Sequence, residues 1–367
     1  VRLLFLTDRL SDRGGADHHL AQVVGEAVRT GRTVTLGYGR DEGGFDVPQA
    51  VVLRRIRGLA SMVDSRARLG GLAELLARAD VIHLQNVMNP SVVETVVRGG
   101  RAVVTVQDHR VFCPGRGRTL PDGSVCVDAM GDETCRECLP DGEYRRSTIE
   151  LTRRRLEALQ GAEAVIVLSA FMARELAGAG VDGAAVVPPW VDCGPIRTEA
   201  GGHFLLGGRL VAHKGVADGW RAWNEARRPL PLVVAGSGPL EHELVGTHRR
   251  GWLSPTELRA ELRRARALIF ASGWQEPLGI LGIEALAEGT PVIVAESGGT
   301  GEWSAAGCLR VPAGDVPAMA DAIRRLAADP DLALDLGKAG QESVRELFAR
   351  ERIWPVLEEV YTRVAAV

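Results

Sequence analysis

Two glutamates eight residues apart, Glu276 and Glu284, stand in the stretch WQEPLGILGIEALAEGTPVI, residues 274–293. Glu276 falls in a loop closed by Pro277, and a helix is expected from near Leu278 to a C-cap at Gly289. Its first amides, around Leu278, Gly279, Ile280 and Leu281, would have no partner within the helix and would point at whatever lies beyond its start. A carboxylate accepts hydrogen bonds from hydroxyls. The segment therefore offers phosphate-binding amides flanked by two hydroxyl-binding carboxylates. A nucleotide sugar presents the matching groups: sugar hydroxyls, a diphosphate and ribose hydroxyls. The plainer alternative makes Glu276 a loop charge and Glu284 a partner of the helix dipole.

Charge for a diphosphate comes from GGRLVAHKG, residues 207–215, where Arg209 and Lys214 follow an apolar run. Ligands of parallel sheets bind at the carboxyl ends of strands, where these two cations would lie. Of 44 Lys and Arg, only Lys214 and Lys338 are lysine, so a lysine here is a rare choice. Its compact ammonium suits a phosphate oxygen. Three glycine turns follow other apolar runs: Gly14–Gly15, Gly236 and Gly238 in AGSGP, and GGTGE at 298–302. Each permits close backbone approach to a nucleotide, and each can equally be a plain tight turn. The Asp-x-Asp of Asp329-Pro330-Asp331 reads as a surface turn between helices, so cations and amides, not Mg²⁺, are expected to hold the diphosphate.

Four cysteines, Cys113, Cys126, Cys135 and Cys138, are spaced C-x12-C-x8-C-x2-C inside 110–146, a stretch with no periodicity. Four thiolates suit a tetrahedral structural zinc that would hold a coreless loop. Free thiols, disulfides and an iron–sulfur cluster stay open beside it.

The elements that position these residues alternate. Apolar runs at 1–7, 33–39, 51–56, 80–85, 101–108 and 162–169 are separated by helical stretches, the pattern of a covered parallel sheet. The paired prolines of VVPPWVD (186–192) mark a boundary, after which the pattern restarts at 203–208, 231–236, 266–272 and 290–296. A final helix from about Glu351 carries an apolar stripe of Ile353, Leu357, Val360, Tyr361 and Val364. The expected architecture is α/β: two doubly wound Rossmann-like domains facing across a cleft, 1–188 and 189–348. The helix 349–367 would pack back toward the first.

At 367 residues the chain suits two domains. A net charge of -3 argues against bulk nucleic-acid binding, and no apolar run reaches membrane-spanning length. Val1–Thr7 lacks a basic flank and a cleavage site, and reads as a buried strand, not a signal peptide. A cytoplasmic protein is expected.

Taken together, the glutamate pair, Arg209 with Lys214, the Gly14–Gly15 turn, the PPWVD connector and the last helix resemble the retaining family 4 glycosyltransferases of the two-domain GT-B fold. The resemblance spans nearly the whole chain. It implies that Arg209 and Lys214 neutralise the diphosphate and that Glu276 holds the donor sugar hydroxyls, with Gly279 and Ile280 presenting amides. Glu284 would hold the ribose, and Gly251–Trp252–Leu253 would be the base-contacting loop. It also implies hexosyl transfer with retention, to an acceptor that is a small molecule or an envelope glycan. The four-cysteine loop is similar to one in a subset of these enzymes. One departure lies at Thr105-Val106-Gln107-Asp108-His109. Similar enzymes carry a histidine where this chain has Gln107, which can bond a hydroxyl but cannot carry a proton; His109, two residues on, is the other candidate for that acceptor-side role. A nucleotide-sugar epimerase and a non-catalytic nucleotide-sugar-binding protein with a metal-binding loop remain alternatives, with a sugar phosphorylase behind them.

Overall fold

The computed structural model describes residues 1–61 and 71–366. The chain forms two compact units, one of Val1–Pro189 with the C-terminus from Trp354 on, the other of Trp190–Ile353.

Among the described residues the first unit holds a sheet of β1 (Arg2–Leu10), β2 (Thr33–Asp41), β3 (Val52–Arg55), β4 (Val81–Gln85), β5 (Ala102–Val106), β6 (Ala164–Val167) and β7 (Ala185–Val186). The order is β3-β2-β1-β4-β5-β6-β7 and every pairing is parallel. Its helices are α1 (Gly15–Arg29), α2 (Leu72–Arg78), α3 (Pro90–Arg98), α4 (Gly142–Leu159) and α5 (Ala170–Gly178). The second unit carries β8 (His203–Gly207), β9 (Leu232–Ala235), β10 (His248–Gly251), β11 (Ala265–Phe270), β12 (Val292–Glu296) and β13 (Cys308–Pro312). These run parallel in the order β10-β9-β8-β11-β12-β13. Around them lie α6 (Val216–Glu225), α7 (Pro255–Arg264), α8 (Ile280–Ala287), α9 (Val316–Ala328) and α10 (Pro330–Leu347), and α11 (Arg350–Ala365) closes the chain.

Central strands are buried on both faces, as in β4, β5, β6 and β11, which is why they read as continuous apolar runs rather than alternating ones. The strand order reverses at β1/β4 in one sheet and at β8/β11 in the other. Loops at the carboxyl ends of those strands form the crevice where ligands of doubly wound sheets bind. From Trp354 on, α11 joins the core of the first unit: Tyr361 is buried, and its hydroxyl lies 2.7 Å from His83 Nδ1. The Asp329 carboxylate accepts the Leu332 N–H (2.9 Å) as the N-cap of α10. No helix among the described residues is long and apolar enough to cross a membrane.

Three strands escaped the sequence reading. Of these, β10 is His-Arg-Arg-Gly with its first three residues exposed, and β13 has one fully buried residue, so neither shows an apolar run. The two-residue β7 is too short to register. The stretch 110–146, expected to be all loop, gives its last five residues to α4, which Asp141 caps by accepting the Tyr144 N–H at 2.7 Å.

Candidate functional site

At the carboxyl end of the second sheet four loops are tied together by backbone bonds. Leu210 N–H donates to Ser237 O (2.9 Å), Trp274 N–H to His213 O (3.1 Å) and Gly299 N–H to Glu276 O (2.7 Å). Gly236 N–H donates to Gly251 O at 2.7 Å, which brings the loop after β9 to the Gly251–Trp252–Leu253 segment. Glycine is needed for this packing: a Cβ on Gly236 would stand 1.8 Å from Gly208 O, and one on Gly238 2.5 Å from Leu210 O. Those two glycines therefore serve close loop contact. Trp252 is half-buried, and its Nε1 has no hydrogen-bond partner among the described residues.

The centre of this web is an ion pair. Lys214 Nζ donates to Glu276 Oε1 at 2.7 Å, across 62 positions of sequence, and Glu276 is 4% exposed. Lys214 also lies 4.4 Å from the centroid of the Trp274 ring, within cation–π range. Arg209 is exposed, and among the described residues its side chain makes no hydrogen bond or ion pair with this pair.

Helix α8 starts later than expected. Leu278 lies before it, with its carbonyl accepting from Trp303 Nε1 (2.6 Å), and Gly279 is the N-cap in the left-handed region, at φ 86. That conformation turns the chain from the Glu276 loop into the helix and leaves Ile280, Leu281 and Gly282 as the first turn. The tip reaches the end of β8, for a Cβ on Gly207 would meet Leu281 Cδ2 at 3.0 Å. Glu284 is half-buried one turn down. Burial pushes its carboxyl up to about 7, with Arg259 pulling against the shift and Glu288 adding to it.

The first unit has a second cluster on β4, β5 and α1. Nδ1 of His19 takes the Nε2 amides of Gln107 (3.2 Å) and Gln85 (3.4 Å), so the ring proton sits on Nε2. Burial pushes the His19 imidazole down to about 4, which keeps it neutral. His19 Nε2, Gln85 Oε1, Gln107 Oε1 and Asn86 Oδ1 are shut off from solvent without a hydrogen-bond partner among the described residues. Buried polar atoms are nearly always paired, and such a concentration leaves bonds for ordered water or a ligand to supply. Gln107 and Asn86 line a cavity of about 20 Å³ with Arg110 and Arg155. Nearby, burial raises the Asp8 carboxyl to about 7, against a backbone N–H from Met88 and three arginines.

His109 is placed differently from Gln107: it is 1% exposed, stacked edge-on against Phe112 (5.5 Å) and Phe171 (6.2 Å), and is not part of that cavity lining. Gly14 caps α1 with extended backbone, and Gly15 is its first residue. Asp17, buried in that first turn and 3.2 Å from Arg9, already brings a carboxylate to the helix tip. This opposes an anion there.

The zinc expectation finds no support. Among the described residues no group of three or more His, Cys, Asp and Glu is placed to hold a metal ion. Cys113, Cys126, Cys135 and Cys138 are half-buried free thiols. Cys113 Sγ accepts from Arg118 N–H (3.4 Å) and Cys138 Sγ faces Thr119 O (3.9 Å). Burial raises the Cys138 thiol, and Cys113 and Cys126 nearby add to the shift. Arginines brace the loop. Arg145 of α4 grips Asp132 through two nitrogens (2.9 and 3.1 Å) and the Leu139 carbonyl (2.9 Å), while Arg118 reaches Glu175 and the Asp128 carbonyl.

Residues 202–329 match the family Glycosyl transferases group 1. That segment contains Arg209, Lys214, Glu276, the α8 tip and Glu284. Glycogen synthase of Mycobacterium tuberculosis is 32% identical over 173 residues, covering 43% of this chain and 42% of that protein. The Rhizobium meliloti lipopolysaccharide core biosynthesis glycosyltransferase LpsD is 30% identical over 185 residues, 47% of this chain and 52% of that one. The chain thus spans about half the length of the curated relatives it matches. Among solved structures, sucrose-phosphate synthase from Thermosynechococcus elongatus superposes over 100% of this chain and 99% of its own, with a TM-score of 0.73 at 21% identity. Anabaena HepE, solved with UDP-glucose, covers 100% of both chains with a TM-score of 0.67 at 14% identity. The fold is GT-B. The GT-B neighbours support two parallel-sheet α/β domains, and the relatives that match in sequence are glycosyltransferases.

Sequence reasoning missed His19, Gln85 and Trp274. A glutamine next to a strand end carries no motif, and only the register of β4 with β5 brings Gln85 beside Thr105 and within reach of α1. Trp274 opens the stretch 274–293, but the two glutamates alone carried its reading.

Proposed function

We propose that this protein is a retaining glycosyltransferase that moves a hexosyl group from a nucleotide diphosphate sugar to a hydroxyl of a small-molecule or envelope-glycan acceptor. The observation that carries the reading is the Lys214–Glu276 pair at 2.7 Å, beside the start of α8. In one place it supplies a cation and bare amides for a diphosphate and a buried carboxylate for sugar hydroxyls. Relatives solved with UDP and UDP-glucose make a nucleoside diphosphate sugar the natural donor class.

In the reaction the bond from the anomeric carbon to the β-phosphate oxygen breaks, and its electron pair stays on the diphosphate. The acceptor oxygen bonds to that carbon on the same face, and its proton passes to a β-phosphate oxygen. Charge grows on the diphosphate in the transition state, where Lys214, Arg209 and the α8 amides stabilise it most. Glu276 orients the sugar, and Glu284 meets the ribose. Gln107, held by His19, accepts or donates to an uncharged hydroxyl. No step asks for a proton from a side chain, so glutamine in a histidine's place is compatible with turnover. Cations and amides do the work of a divalent ion, and activity should survive a chelator.

The test is a thermal-shift screen of UDP, GDP and ADP and their hexoses, followed by NMR of the product anomer. Glu276→Ala should remove the extra stabilisation given by the sugar and keep that of the nucleotide. An α-linked donor should give an α-linked product. Stabilisation by none of these ligands, or an inverted product, would refute the reading.

A further inference from the structure

Trp274 has no part in the mechanism above, yet the site is built around it. Its ring centroid lies 4.4 Å from Lys214 Nζ, and its N–H donates to the carbonyl of His213, the residue next to Lys214, at 3.1 Å. The His213 ring packs on the indole from the other side of that link, 5.6 Å between centroids and 63° between planes. Ser272 Oγ donates to the same His213 carbonyl at 3.4 Å. One short backbone link between the loops after β8 and β11 therefore registers the indole face against the ammonium.

The partners of Lys214 differ in kind. Glu276 neutralises it, at 2.7 Å, with 21% of the lysine side chain and 5% of the glutamate side chain exposed. An aromatic face attracts a cation without neutralising it and without competing for hydrogen-bond donors. Lys214 engages Oε1 of Glu276 with one of its three N–H donors, so a sugar hydroxyl can share that carboxylate while the ammonium also turns to phosphate. A flexible lysine in a half-buried pocket would lose its aim without a second support.

We infer that Trp274 is a positioning residue for the diphosphate site: it holds Lys214 aimed at phosphate while Glu276 also takes a sugar hydroxyl. This rests on the sugar-transfer reading and names how that site stays ready for a nucleoside diphosphate.

The experiment is calorimetric titration of the full chain with UDP, GDP and ADP, and with the matching nucleosides. The variants are Trp274→Leu, Trp274→Phe, Lys214→Met and the double variant Trp274→Leu/Lys214→Met. Trp274→Leu should weaken the bound diphosphate by ~2- to 30-fold, the range of a cation–π contact from exposed to desolvated. Nucleoside affinity should stay the same, and Trp274→Phe should recover part of the loss. In the Lys214→Met background the Trp274→Leu change should have no further effect, because the residue acts through the lysine. Unchanged diphosphate affinity in Trp274→Leu overturns the inference. So does an equal loss for nucleoside and diphosphate, the mark of a merely structural tryptophan, and so does a full effect without the lysine. Wild-type protein that binds none of the three diphosphates would sink the sugar-transfer reading itself, and this role with it.

Discussion

Removing Lys214 and removing the charge of Glu276 should not cost the same. In Lys214→Met the carboxylate of Glu276, 4% exposed, loses its counter-ion and cannot reach water. Breaking a buried pair this way costs about 3–5 kcal/mol. The lysine end is 21% exposed, so the low end, about 3 kcal/mol, applies. In Glu276→Gln the remaining ammonium keeps its exposed edge and the Trp274 face at 4.4 Å, and the amide still offers an oxygen. That loss should be about 1 kcal/mol, a neutral hydrogen bond's worth. The double variant Lys214→Met/Glu276→Gln buries no charge and should recover most of the difference. For a unit of this size each kcal/mol moves Tm by about 2–4 °C. The order is then a fall of about 6–12 °C for Lys214→Met and about 2–4 °C for Glu276→Gln, with the double variant near the second. Scanning calorimetry, with urea unfolding as a check, measures all three. Equal losses for the two single variants, or a double variant worse than either, would refute a carboxylate that depends on Lys214 for its charge.

The raised carboxyl of Glu284 has a signed pH consequence: ordinary near 4.5 when unfolded and about 7 when folded, it favours the native state below pH 4.5 and loses that advantage as pH rises toward 7. Urea midpoints should therefore fall less across pH 4.5–7 in Glu284→Gln than in the wild type, and parallel curves would refute the shift. Tyr361→Phe should cost ~1–3 kcal/mol by leaving buried His83 Nδ1 without its partner at 2.7 Å, since Nε2 is already taken by Thr105 Oγ1 at 2.6 Å; an unchanged unfolding midpoint would show that α11 docks by its apolar stripe alone.

Much of the scaffold was legible because it is local. A buried parallel strand needs an unbroken apolar run, so AVVTV and AVIV announced themselves. The helix α8 was visible from Pro277 and Gly289, though its start was not: the left-handed turn at Gly279 depends on packing against Phe270 and Trp303, which no local pattern carries. Polar edge strands such as His248–Gly251 show no period at all, because hydrogen bonding to β9 makes them strands.

Residue types and spacing were enough to single out Arg209, Lys214, Glu276 and Glu284, and to place them after strands of a doubly wound sheet. They could not say that Lys214 and Glu276 would hold each other, that Trp274 would lie against the ammonium, or that Arg209 would stay exposed and outside that ion pair. Nor could four cysteines at chelating intervals reveal that Arg145 and Arg118 brace their loop. Intervals along a chain constrain what neighbours on one helix or loop can do together. Which side chain meets which across 62 residues is decided by strand order and by the close loop packing that small glycines permit, and those exist only once the sheets are assembled.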